Sequence, residues 1–353
     1  MTAPAPEVTF YPDVRMNPYL AIVAEGLRAL GATVHFGRAP NEGGPHTILH
    51  IHWAEGIALG RFARRSLIAM RLGFLALYLR IRAVKAKGGA IVWTAHNLRP
   101  HEASGGRRGR LVDRWLAKIY AQADGVTCMS DISATQVAAL YPELADRIRV
   151  IRHPDYRDHY ATVGTGAGLP AAVPAGATVL AMAGIVRPYK RIEQTIARFA
   201  EIAREDEWLV VAGACYDPAL AARITALAER TPRVVVQLGE LSDADYAALV
   251  AAAGVTLVMQ DGLLNSGSLI SSLSLGTPAI AIEVPANREL AGIVGAGWLT
   301  LIDDLDGPGL RIAIDGARRG VAGAPQLEAF DPARVARQHL DLYRAVLAGR
   351  EAA

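Results

Sequence analysis

Residues 179–190 read Val-Leu-Ala-Met-Ala-Gly-Ile-Val-Arg-Pro-Tyr-Lys, and the fold follows from this stretch. Five apolar residues of strand length, Val179–Ala183, run into Gly184. Two cations three apart follow, Arg187 and Lys190, and then a helical pattern over Ile192–Arg204. A second junction of the same kind lies downstream, where the strand-like Val255–Met259 leads to Asn265-Ser266-Gly267-Ser268 and the helical stretch Ser268–Leu275. Where a strand ends and a helix begins, unpaired N–H groups and the helix dipole attract anions. Arg187 and Lys190 add fixed positive charge to the first junction, while small residues at the second let an anion approach the backbone closely. One anion site with cations and one with bare amides suit a diphosphate joined to a neutral group, which is the profile of a sugar nucleotide. The plain alternative is two solvated surface cations beside a turn.

Outward from these junctions, strand-like runs alternate with helical ones along all 353 residues, the pattern of parallel α/β sheets. In the first half the expected strands are Val8–Tyr11, Thr33–Phe36, Ile48–His52, Ala90–Thr94, Gly125–Met129 and Arg149–Ile151. Helical stretches are Tyr19–Leu30, Arg61–Lys87, Arg110–Ala123 and Ile132–Leu140. In the second half strands are expected at Val179–Ala183, Trp208–Ala212, Val234–Gln237, Val255–Met259, Ala279–Ile282 and Leu299–Ile302, with Pro218–Glu229 and Asp243–Ala253 among the helices. Residues 161–177, poor in charge and rich in Gly and Pro, read as a linker. The expected organisation is a domain over 1–160, this linker, a domain over 178–330, and a terminal amphipathic helix within 331–353 with Asp331 as its N-cap. Two Rossmann-like halves place ligands at the C-terminal strand edges.

Composition narrows the function classes. With 52% hydrophobic and 20% charged residues the chain has material for two packed cores. No run is long and apolar enough for a membrane span, and Met1–Pro12 lacks the basic start and apolar core of a signal peptide. Cys128 and Cys215 lack metal-ligand spacing and read as reduced, buried thiols of a cytoplasmic protein. The net charge of +3 is unevenly spread: residues 1–160 hold 21 Lys/Arg against 13 Asp/Glu, and the remainder 16 against 21. The first half therefore faces something anionic. Few aromatics accompany the arginines, which argues against nucleic acid and for a membrane surface. Arg61–Lys87 has an apolar middle flanked by cations including Arg64, Arg65 and Arg71, suited to a headgroup layer of anionic lipid at the inner face of the cell membrane. An ordinary core helix with solvated ends is the alternative.

Here a resemblance becomes visible. Gly184–Lys190 with Ile192, Thr195 and Ile196 resembles the phosphate-binding segment of GT-B glycosyltransferases, in particular the family-4-like group. So does Ser266–Leu269 leading to Gly276-Thr277-Pro278. Leu238-Gly239-Glu240-Leu241 is similar to the place where that family's backbone reads the nucleotide base, which implies donor contacts at Gly239, Glu240 and Leu241. The resemblance implies a GT-B fold, two Rossmann-like parallel-sheet domains facing a central cleft, with the terminal helix crossing back to the first. It also implies no bound metal or other cofactor. Retaining members carry two glutamates eight apart before the glycine-any-proline turn; counting back from Gly276, those positions are Leu263 and Ser271. Their donor contacts are then absent or replaced by Asn265, Ser266 or Ser268, and inversion at the anomeric carbon is the expectation.

Inversion requires a general base. The candidates are Glu102, six residues beyond His96, then Asp131 after the strand ending near Met129, and Asp13 in the first loop. The resemblance puts His96 against the donor sugar, although a satisfied structural histidine reads equally well. Asn17 opens the first helix, as a cap or as a cleft residue. His50 and His52 alternate on one strand without an acidic or cysteine partner at useful spacing, so no metal site is expected.

The expected activity is transfer of a sugar from a nucleotide diphosphate, GDP-mannose or UDP-glucuronate, to a polyprenyl-diphosphate-linked or glycan acceptor, as in exopolysaccharide synthesis. The competing expectation is a non-catalytic sugar-nucleotide-binding subunit that kept the fold. An epimerase of the same fold finds no suitable acidic and histidine set in the second half.

Overall fold

The computed structural model describes residues 5–39, 43–60, 66–97, 106–260 and 264–351. The chain forms two compact units, Met1–Pro154 with Phe330–Ala353, and Asp155–Ala329. The first holds β1 (Glu7–Tyr11), β2 (Thr33–Phe36), β3 (Thr47–Ile51), β4 (Ala90–Thr94), β5 (Gly125–Cys128) and β6 (Ile148–Val150), in the spatial order β2-β1-β3-β4-β5-β6. The second holds β7 (Thr178–Ala183), β8 (Glu207–Gly213), β9 (Val234–Leu238), β10 (Val255–Val258), β11 (Ala279–Ile282) and β12 (Leu299–Ile302), in the order β12-β11-β10-β7-β8-β9. Every pairing is parallel. Helices on both faces bury β3, β4, β5, β10 and β11 along their whole length, so these strands read as continuous apolar runs and not as alternating ones.

The strand order fixes where ligands can enter. In each sheet the chain reverses its direction of travel once, between β1 and β3 in the first unit and between β7 and β10 in the second. Connections leave to opposite faces at such a switch point and open a crevice at the carboxyl ends of the two strands.

Two sequence expectations need revision. Residues 161–177 lie inside the second unit, and the chain passes from one unit to the other at 154–155 and returns at 329–330. Their apolar members explain this: Leu169 and Val173 pack on the face formed by Val179, Ala181, Val210 and Leu249. Helices also occur where no apolar periodicity announced them, at Arg157–Thr162, Pro285–Val294 and Gly307–Arg318.

The terminal helix Pro332–Glu351 is part of the first unit, with Val335, Leu340, Tyr343 and Leu347 in one core with Val8, Phe10, Leu20 and Leu27. Gly26 makes that packing possible, because a Cβ there would fall 2.5 Å from the Cβ of Ala336.

Candidate active site

The second unit carries the two strand-to-helix junctions. β7 ends at Ala183, and Gly184 turns the chain with φ of 95°, a left-handed value that glycine adopts without strain. Residues 184–187 then continue beside the exit of β8, with Val186 N–H donating to the Ala214 carbonyl at 2.8 Å. The approach is close: a Cβ on Gly213 would stand 2.2 Å from the Gly184 carbonyl oxygen. A single 3-10 turn, Pro188–Lys190, swings Lys190 back over the start of the segment. Its Nζ lies 3.6 Å from where a Cβ on Gly184 would be, with the Tyr246 ring alongside. Among the described residues Lys190 has no hydrogen bond or ion pair. Burial, and then the Arg187 guanidinium, bring its pKa down from the usual lysine value to about 8.

Across the switch point, β10 ends at Val258, and Ser266 caps the helix Gly267–Ser274 by accepting from Leu269 N–H. Gly184, Lys190, Tyr246, Gln260 and Ser268 line one hollow between β7 and β10, with about 20 Å³ of free volume, enough for a water or one phosphate oxygen. The Asn265 amide nitrogen is buried without a partner. The Ser266 hydroxyl also accepts from Gln260 Nε2 at 3.3 Å, so it already serves the turn. Of this run, Ser268 lines the hollow.

Of the two positions where a retaining enzyme carries glutamate, Leu263 lies outside the described residues. Ser271 is buried and shares a 2.6 Å hydrogen bond with the Tyr160 hydroxyl, whose ring stacks on Tyr246 at 6.0 Å between centroids. An aromatic pair occupies the surroundings of the missing carboxylate. On the outer side, Gly239 N–H donates to the Gly213 carbonyl at 3.2 Å, and Glu240 is exposed. Leu241 packs into the apolar cluster around Val179 and Leu249, so its side chain belongs to the core and is not available as a donor contact.

The first unit presents an uncharged edge. His52 and His96 leave β3 and β4 side by side, with His52 Nδ1 and His96 Nε2 sharing a hydrogen bond at 3.1 Å, and the His96 ring stacks on Trp53 at 4.1 Å. His50 is bracketed at 2.7 Å by the hydroxyls of Tyr343 and Thr94. Burial holds His50 and His52 far below the usual imidazole pKa and brings His96 and His339 to about 3 and His153 to about 4. All five rings are neutral at physiological pH. Among the described residues no cluster of three or more His, Cys, Asp or Glu has an arrangement that could hold a metal ion.

The carboxylates of this edge divide by partner. Asp13 receives two hydrogen bonds from Arg15, at 3.0 and 2.7 Å, which keep its proton affinity below the ordinary value. Asp131, exposed in the first turn of its helix, pairs with Arg152 at 3.0 Å. Asn17 accepts from Tyr19 N–H and caps the first helix. Glu102 lies outside the described residues.

Sequence reasoning missed Glu55. It is buried just beyond β3, accepts from Asn97 Nδ2 at 3.3 Å and from the Tyr120 hydroxyl at 3.2 Å, and meets no cation among the described residues. Burial raises its pKa. Its partners stand 42 and 65 residues away, so no local motif betrays it.

The long helix of this unit spans Leu67–Ala86 and is apolar on two sides. Met70, Phe74, Leu77, Ile81 and Val84 are buried. Ile68, Leu72 and Leu79 are 70, 59 and 57% exposed, and Arg71 is exposed among them. Arg64 and Arg65 lie outside the described residues. Among the described residues no helix is long and apolar enough to cross a membrane.

The comparisons agree with this geometry. Residues 16–154 match the family described as Glycosyltransferase Family 4. GDP-mannose:glycolipid 4-beta-D-mannosyltransferase of Xanthomonas campestris pv. campestris is 26% identical, over 97% of this chain and 93% of its own length. Among solved structures, sucrose-phosphate synthase of Thermosynechococcus elongatus aligns over 98% of this chain and 97% of its own, with a TM-score of 0.62 at 18% identity. A glycosyltransferase of Rickettsia africae covers 98% and 99%, with a TM-score of 0.65 at 13% identity. Anabaena HepE, solved with UDP, covers 96% and 100%, with a TM-score of 0.59 at 15% identity. Two doubly wound parallel sheets, the family-4 match over residues 16–154 and a glycosyltransferase relative along nearly the whole length make this chain similar to family-4-like glycosyltransferases of GT-B fold.

Proposed function

We propose that the chain transfers mannose from GDP-mannose to a lipid-linked saccharide at a membrane surface, with inversion at the anomeric carbon. The observation that carries the donor half is Lys190, an ammonium without a counter-ion among the described residues, placed over Gly184 at a topological switch point. A buried cation without an anion is costly unless a ligand supplies one, and a diphosphate does. Arg187, the amides of Gly267 and Ser268, and the Asn265 amide complete the set of donors that would stabilise the leaving diphosphate without a metal. The activity of the Xanthomonas relative favours GDP-mannose over UDP-glucuronate and a glycolipid over a free sugar.

Inversion is supported by Ser271, which is held by Tyr160 in place of a carboxylate. The neutral rings of His96 and His52 suit contacts to an uncharged sugar. The proton of the acceptor hydroxyl then goes to a carboxylate of the first unit. Asp13 and Asp131 are each tied to an arginine, which leaves Glu55 and Glu102 as the groups we assign to it. Docking on anionic lipid through Ile68, Leu72, Leu79 and Arg71 would bring the enzyme to a membrane-borne acceptor at the inner face of the cell membrane.

The test is incubation with labelled GDP-mannose and a lipid extract, with proton NMR of the product. Label in the lipid fraction in a β linkage, starting from an α-linked donor, is expected. No transfer and no donor hydrolysis across common sugar nucleotides would defeat the reading, and an α product would defeat inversion alone.

A further inference from the structure

We infer that Tyr216 and Glu240 read the base of the donor and select guanine; this rests on the donor site proposed above. Three segments leave the sheet next to one another beyond β7, β8 and β9. Residues 184–187 pair with 213–215 through Val186 and Cys215, and Gly239 N–H donates to the Gly213 carbonyl. Adjacent strands stand ~4.8 Å apart, so the third segment lies roughly 10 Å from the first. A ribose with its 5′-phosphate bridges that span. With the diphosphate at Gly184 and Lys190, the base falls over the second and third segments.

Tyr216 stands there, 62% exposed, and it is the one fully exposed aromatic side chain among the described residues. The Arg187 guanidinium lies 5.8 Å from its ring centroid, so the aromatic face sits directly beside a phosphate-binding cation. An aromatic face accepts any base by stacking. Selection comes from its neighbour. The Glu240 carboxylate is 3.5 Å from the Tyr216 hydroxyl and forms no ion pair among the described residues. A carboxylate only accepts hydrogen bonds. Guanine offers it two adjacent donors, N1–H and the N2 amino group, in the bidentate geometry that suits two carboxylate oxygens. Uracil offers one N–H flanked by two carbonyl oxygens, which the same carboxylate repels. A carboxylate beside the base of an anionic nucleotide would weaken binding unless it met donors of this kind.

The test is calorimetry on the intact chain at fixed salt with GDP, UDP and inosine diphosphate, which lacks the N2 amino group. GDP should bind tightest, with inosine diphosphate weaker by about ten- to a hundredfold, the worth of one charge-assisted hydrogen bond. Glu240→Gln should collapse that ratio towards one. Tyr216→Ala should weaken all three nucleotides, by roughly tenfold. Lys190→Ala should also weaken all three while leaving the ratio intact, which separates the phosphate site from the base site. UDP binding as tightly as GDP, or a GDP preference untouched in Glu240→Gln, overturns the assignment while the donor site stands. No binding by any of the three overturns both.

Discussion

The two units share an architecture and invert its electrostatics. At the carboxyl edge of the second sheet, Lys190 is a half-buried cation that meets no anion among the described residues, its pKa brought down to about 8. At the corresponding edge of the first sheet, Glu55 is a buried carboxylate that meets no cation among the described residues, its pKa raised. Around Lys190 lie Gly184, Tyr246, Gln260 and Ser268; around His96 lie neutral imidazoles and aromatic rings. On the proposed reading the missing partner differs in kind: a diphosphate for the second unit, a proton for the first. Asp13 with Arg15 and Asp131 with Arg152 form ion pairs within the first unit, in contrast to Glu55.

The largest effect that can break this contrast is at Glu55. Glu55→Gln keeps the size and the Asn97 contact but removes proton uptake, and should lower turnover by about a hundredfold with GDP affinity unchanged. Because burial raises the pKa of Glu55, the acidic limb of the pH–rate profile should lie above the ordinary carboxylate range in the native chain and vanish in the variant. Asp131→Asn should change little. If Asp131→Asn carries the loss instead, the proton goes there and Glu55 is structural.

The neutral histidines give a second handle, this time on stability. Their folded pKa values, about 3 for His96 and His339 and about 4 for His153, lie below the unfolded value. The unfolded chain thus binds more protons, so the stability they permit is complete above pH 6.5 and is lost as pH falls towards 3–4. At pH 5.5 each ring kept neutral costs about 1.4 kcal/mol, and the three together roughly 4 kcal/mol. His339 has neither ring nitrogen bonded, so His339→Leu should reduce the drop in Tm between pH 7.5 and 5.5. An unchanged drop would mean that this ring is not neutral in the fold.

The charged edge predicts the complementary titration. GDP affinity should be level below pH 8 and decline above it as the Lys190 amine loses its proton, since the diphosphate binds the ammonium form. A flat profile from pH 7 to 9.5 would remove Lys190 from the site. The smallest expected effect is at the helix Leu67–Ala86, proposed to dock on lipid. Each exposed cation contributes about 1 kcal/mol at an anionic surface and is screened by salt. Arg71→Gln with Leu72→Ser should weaken binding to anionic vesicles, and binding should fall as salt rises. Equal binding to neutral vesicles would leave only the apolar contribution.

How much of this was legible depended on whether partners are close in sequence. All twelve strands fall within a residue or two of the expected runs, since a parallel strand buried on both faces is a continuous apolar segment. Gly307–Arg318 was hidden by three glycines and a proline, although Asp306, which accepts from Gly309 N–H, was a cap signal in plain view. Arg187 and Lys190 could be singled out because their turn is local. Glu55 and Tyr216 could not, because burial beside Tyr120, or exposure beside Glu240, is a property of the assembled sheet edges.

The central claim is that the second unit lacks an anion which the donor diphosphate supplies. Calorimetric titration of GDP into the native chain, Lys190→Ala and Arg187→Ala at pH 7 tests it most directly. Charge-assisted contacts of this kind predict a loss of about ten- to a hundredfold in each variant with the fold intact by circular dichroism. Affinities in both variants equal to that of the native chain would contradict the account.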